Sequence, residues 1–196
     1  MNEEQILISK IQSGDRNAFR TFVDNYKQDV YWMAYRLTGN HVDADDLSQI
    51  VFIKFFKSIE SYRQESAVKK WLYKIAVNSF IDKKRKKVDQ IMFRFSQNED
   101  EDTYEETIIS DKANPEQKTE AVIINKHINE AMEKLSPKEK SAFVLKHLQG
   151  HSLKEIAELI NTSEGTVKSL LFRGVKKLQT ALAFYKPELG LEESNG

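Results

Sequence analysis

Cysteine is absent from the 196 residues, so neither a disulfide framework nor a cysteine zinc site can form. The four histidines, His41, His127, His147 and His151, make no metal-ligand set, and no metal is expected. No apolar run approaches the roughly 18 to 20 residues that a membrane span needs. The start, Met1 to Glu4, is acidic and leads into an amphipathic stretch, which is unlike a secretory signal. A cytoplasmic protein without membrane insertion is therefore expected. Gly-rich phosphate loops and nucleophile elbows are also missing, which argues against an enzyme and leaves no catalytic residues and no cofactor to assign.

Alternating apolar and polar stretches are absent too, while apolar residues recur at helical spacing almost throughout, so the chain reads as all-α. Its formal net charge of zero hides a segregation: residues 1–88 carry +5, residues 97–120 carry -7 and residues 121–180 carry +4. Two basic bodies joined by an acidic strap are expected. The boundaries drawn from this are a first domain over 1–88, a flexible linker over 89–119, a second domain over 120–184 and a frayed tail over 185–196. Basic bodies suit a polyanionic partner, although any single charge run by itself reads as a solvated face and only the arrangement points to function.

Helix punctuation is strong. Gly14 ends a short first helix and Asp15 caps the next, which turns Ala18, Phe19, Phe22, Val23, Tyr26 and Val30 inward. A helix from about Asp43 to Ile59 leaves Asp45, Asp46 and Gln49 at its exposed start. A polar break, Glu60 to Ser66, precedes a helix expected over about Val68 to Lys87. In the second body, Ser136 with Glu139 and Ser152 with Glu155 form capping boxes, and Pro137 takes a first helical position.

The segment from Leu153 to about Phe184 has the size of a helix-turn-helix. Its first helix offers Ile156, Ala157 and Ile160 to Val167, Leu171, Gly174, Val175 and Leu178 of the second. The second helix then faces outward with Glu164, Gly165, Thr166, Lys168, Ser169, Phe172, Arg173 and Lys176. Cations for phosphates, a guanidinium and hydroxyls for base edges, and an aromatic for a thymine methyl suit a helix entering the major groove. A helical hairpin with a solvated basic face would show the same spacing.

The run Glu155, Ile156, Ala157, then Gly165 to Ser169 and Arg173, resembles region 4 of the ECF (extracytoplasmic function) sigma factors of the sigma-70 superfamily. The first half resembles region 2 of the same family in three ordered blocks: Ala34 to Asn40; Asp43 to Leu47 with Gln49, Val51 and Phe52; and Trp71 to Asn78 with Asp82 and Arg85. The resemblance implies a non-catalytic transcription factor that binds core RNA polymerase and directs promoter recognition and initiation. Asp45, Asp46, Gln49, Phe52 and Lys54 would bind the β′ clamp of core polymerase, and the β flap is a further implied contact. Arg63, Trp71, Lys74, Asn78, Lys83, Lys84 and Arg85 would melt and read the minus-10 DNA, and the outward set of the last helix would read the minus-35 duplex. Many members are held by an anti-sigma factor, so such a partner is expected. At position 170 the family often carries Arg, and Leu170 here implies a lost phosphate or base contact. Taken singly, Trp71 reads as a core residue, and Asp45 and Asp46 read as a stabilised helix start.

A stand-alone activator would explain the helix-turn-helix but leave the two front blocks without purpose. A helical adaptor that binds only protein would have no use for the basic outward face.

Overall fold

The computed structural model describes residues 3–62, 67–97 and 120–185. Arg63, the acidic stretch 98–119 and the tail 186–196 lie outside the described residues. Every regular element among the described residues is helical, as the apolar periodicity predicts: α1 Glu3–Gln12, α2 Arg16–Thr38, α3 His41–Ser58, α4 Val68–Gln97, α5 Glu120–Glu133, α6 Pro137–Phe143, α7 Leu153–Leu159 and α8 Glu164–Ala181.

Local chemistry sets the boundaries. Asp15 accepts from the backbone of Asn17 and Ala18 and starts α2, and Gly39, at φ +83°, ends it in a left-handed turn that a side chain would strain. Asn40 then caps α3 by accepting from Asp43 N–H. Ser136 and Ser152 each close a complete capping box, with Glu139 and with Glu155. Two boundaries differ from expectation. α4 continues to Gln97, ten residues past Lys87, because neither Pro nor Gly interrupts Val68 to Gln97. α6 gives way to a π-helical turn over Val144–Leu148, in which Gln149 N–H reaches back to Val144 C=O, before Gly150 turns the chain toward α7.

In the front body α2, α3 and α4 pack on one another, with α1 against α2. Phe22, Met33 and Leu37 of α2, Leu47, Val51 and Phe55 of α3, and Leu72, Ala76 and Phe80 of α4 are all buried. Gln12 fastens α1 by donating to Ile59 C=O at 2.9 Å, in the short 3-10 turn after α3. In the rear body α6, α7 and α8 bury Ala142, Leu145, Ile156, Leu159, Val167 and Leu170. Gly174 of α8 is buried, and a Cβ there would meet Glu139 Cβ at 3.8 Å, an ordinary contact. Gly174→Ala is therefore expected to raise stability by about 0.5 to 1 kcal/mol, because the helix loses a flexible residue without a clash. Urea denaturation checks this, and a lower midpoint would contradict the spacing.

The two bodies meet along α4, which touches both α6 and α7. Lys70 pairs with Glu158 at 2.7 Å and Lys84 with Glu133 at 3.5 Å. Leu159 is the last residue of α7, so its carbonyl has no partner within the helix. Asn78 of α4 supplies one, donating through Nδ2 at 3.1 Å. Lys140 is 3% exposed beside this seam; burial pushes its ammonium below the usual lysine range, against the opposing pull of its ion pair with Glu133.

Candidate nucleic-acid interface

α8 presents the outward set that the sequence pattern predicts. Glu164, Gly165, Thr166, Lys168, Ser169, Phe172, Arg173 and Lys176 are all exposed, while Val167, Leu170 and Gly174 are buried. Phe172 is 72% exposed, far more than packing would leave a phenyl ring. Ser163 caps the helix, accepting from Thr166 N–H at 3.2 Å and bonding its hydroxyl at 2.9 Å, so Thr166 is held at the helix start. Among the described residues Lys168 and Lys176 have no ion-pair partner. Arg173 differs: its Nε lies 3.3 Å from Glu139 Oε1, and Lys177 Nζ lies 2.7 Å from Oε2 of the same carboxylate. Burial alone would push the Glu139 carboxyl up, but the bonds from Lys177 and from Ser136 outweigh it and hold the group below its ordinary range. The reading of Leu170 as a lost DNA contact needs correction. Leu170 is 4% exposed on the inward side of α8, so the outward face loses nothing there.

The stripe read on α4 divides in the structure. Trp71 is partly buried, stacked on Tyr62 at 4.7 Å and tilted against Phe55 at 5.0 Å, so its ring closes the edge of the core. Lys74 and Arg85 are exposed, the latter 3.4 Å from Asp82. Asn78 is taken up by the Leu159 carbonyl. Lys83 reaches back to α3, 2.8 Å from Asp43 and 3.6 Å from Asp46, and Lys84 reaches Glu133. Hydrogen bonds from Asn40 and Lys83 hold the Asp43 carboxyl below its usual range.

The residues assigned to polymerase also divide. Asp45, Gln49 and Phe52 line an open groove of about 510 Å³ between α2 and α3, together with Lys27, Gln28, Tyr31, Trp32 and Ser48. Asp46 is turned toward Lys83, and Lys54 donates to Ser79 Oγ at 2.9 Å on α4, away from that groove. Trp32 was not among the residues the sequence singled out. It is 50% exposed and stands edge-on to Tyr31 at 5.5 Å and to Tyr35 at 5.8 Å. Two residues after buried Val30, it falls on the far side of α2 from the apolar stripe. A tryptophan off that stripe was the signal available.

Residues 22–89 match the family described as Sigma-70 region 2, and residues 127–178 match Sigma-70, region 4. The ECF RNA polymerase sigma factor SigW of Bacillus subtilis is 33% identical over 176 residues, covering 89% of this chain and 94% of that one. The ECF RNA polymerase sigma-E factor of Haemophilus influenzae is 30% identical over 184 residues, covering 91% and 95%. Among solved structures, the sigma factor RpoE in complex with the anti-sigma factor NepR from Bartonella quintana has a similar fold, with TM-score 0.60, 21% identity, and coverage of 84% of this chain and 96% of that one. CnrH in complex with the cytosolic domain of CnrY is similar at TM-score 0.60 and 19% identity, covering 93% and 98%. With both regions matched in order and curated relatives a third identical over almost their whole length, the chain belongs to the sigma-70 family, among its ECF RNA polymerase sigma factors.

Proposed function

We propose that residues 1–88 bind core RNA polymerase and open the minus-10 region, while residues 120–184 read the minus-35 duplex, with residues 89–119 as the connector. The observation that carries this reading is the outward face of α8, where unpaired lysines and a 72% exposed phenylalanine stand over a buried apolar side. Such a face has cations for phosphates and groups able to reach base edges, which a helix serving only packing would not need. The groove around Trp32, Asp45, Gln49 and Phe52 is the surface proposed for the β′ clamp, since an aromatic centre with a mixed polar rim suits protein docking. Bond chemistry stays with polymerase, and the protein acts in the cytoplasm. No described helix is long and apolar enough to cross a membrane. An anti-sigma factor is the further partner that the sequence resemblance implies.

Run-off transcription with purified core polymerase across a promoter library tests the reading: specific start sites are expected only when both components are present. Failure of the full chain to associate with core polymerase would overturn it.

Asn78 has a dual position. Its amide is engaged by the Leu159 carbonyl in the described arrangement, so reading a base with it requires α7 to leave α4. Asn78→Ala is expected to leave initial promoter docking unchanged and to lower open-complex formation on the order of tenfold. Permanganate footprinting of the melted strand measures this, and equal opening by variant and wild type would remove Asn78 from the pocket.

A further inference from the structure

We propose that Glu139 is a positioning residue for minus-35 recognition, restraining Arg173 so that α8 gains selectivity at the expense of general DNA affinity. The inference rests on the reading that α8 faces the minus-35 duplex.

The Glu139 side chain is only 5% exposed, and three contacts fix it. Ser136 N–H donates to Oε2 at 2.9 Å as the return arm of the capping box at the start of α6. Lys177 donates to the same oxygen at 2.7 Å, and Arg173 Nε approaches Oε1 at 3.3 Å. The backbone of α8 passes close by, since a Cβ on Gly174 would lie 3.8 Å from Glu139 Cβ. A carboxylate locked into the start of one helix therefore grips two cations one turn apart on another.

Arg173 is 58% exposed beyond that grip. A guanidinium reads guanine through two parallel donors in a fixed plane, so its orientation decides whether it discriminates bases or merely meets the nearest phosphate. The charge pair at Nε draws the guanidinium toward Glu139 and biases its orientation, while the side chain stays 58% exposed and open to DNA. The same carboxylate competes with DNA phosphates for both Arg173 and Lys177. Loss of its charge should thus move two quantities in opposite directions, which loss of a merely structural group would not do.

Glu139→Gln isolates the charge, because Gln also serves at this position of a capping box. The full chain, assembled with core polymerase, is bound to DNA in which the six minus-35 positions are randomised and the minus-10 region is constant. Compared with wild type, E139Q is expected to bind the average sequence more tightly. Its salt dependence should steepen by about 1 to 2 in the slope of log K against log salt. Enrichment of the preferred sequences should fall roughly tenfold. In an Arg173→Lys background, which lacks the Nε contact, E139Q should cause no further loss of enrichment.

Unchanged enrichment in E139Q, or an additive loss in the Arg173→Lys background, overturns the inference while leaving the reading of α8 intact. A wild-type protein that enriches no minus-35 sequence overturns that reading, and the inference with it. Should E139Q fold poorly, the wild-type full chain answers by NMR: the Arg173 Nε resonance is expected to shift as Glu139 titrates, and a signal like that of free arginine overturns the proposal.

Discussion

Phe55→Ala is expected to destabilise the protein by about 3 to 5 kcal/mol, the usual cost of emptying a buried phenylalanine site. Phe55 is fully buried where α2, α3 and α4 converge. Its ring stacks on Phe22 at 4.1 Å and meets Trp71 at 5.0 Å. The cavity would border both rings, and three helices held at their other contacts can close it only in part. For a chain of this length the loss corresponds to roughly 6 to 20 °C in Tm. Ile53 lies two residues away on the same helix and is 53% exposed, so Ile53→Ala should stay within about 0.5 kcal/mol. Thermal and urea unfolding of the two variants give the comparison. Equal losses would mean that α3 presents a different face to the core.

Features governed by neighbours in the chain were legible in the sequence. Asp15, Ser136 and Ser152 act as the caps that their residue types and spacing predict, and Gly14, Gly39 and Gly150 take positive φ at the turns they mark. The outward face of α8 followed from helical period alone, because Val167 and Gly174 fix which side is inside. Leu170, three residues after Val167, lies on the same buried side, although the family resemblance marks its position for a DNA contact. The extension of α4 was hidden by the basic run Lys83 to Lys87, which looks like a helix end although nothing in it stops a helix. The π-turn at Val144–Leu148 leaves no local mark.

Pairings between distant parts of the chain were not legible. Trp71, Lys74 and Asn78 share a face of α4 by period, but period does not say which neighbour occupies that face. The seam with α7 depends on an unpaired carbonyl 81 residues away. Likewise no local pattern marks Lys140 as buried, or Glu133 as the partner of both it and Lys84. These seam contacts also limit how firmly the bodies hold together. Lys70 and Glu158 are 30% and 50% exposed, and Lys84 and Glu133 are 41% and 50% exposed, so each pair is screened by solvent and holds the seam only weakly. The buried side chains of the two bodies also belong to one apolar cluster, so the separation that the proposed minus-10 role of Asn78 requires must expose apolar surface along α4, a cost that a partner binding there has to offset.

Trp32→Ala carries the other large effect, and it falls on binding instead of folding. Half of the indole is already in water and its contacts within the protein are the edges of Tyr31 and Tyr35, so its removal should change Tm little. At a protein interface the same ring would become the buried aromatic anchor of the groove formed with Asp45, Gln49 and Phe52. Truncation of such an anchor typically costs about 2 to 4 kcal/mol, a loss of roughly 30- to 800-fold in affinity for core polymerase. Lys54 provides the contrast. It was assigned to the same contact from the sequence, yet its ammonium is engaged with Ser79 on the α4 side, and Lys54→Met should weaken binding by less than about fivefold, the equivalent of a surface charge contact. Titration of each full-length variant with core polymerase separates the two. If Lys54→Met is the more damaging, polymerase docks on the α3/α4 side, and the groove between α2 and α3 is not its site.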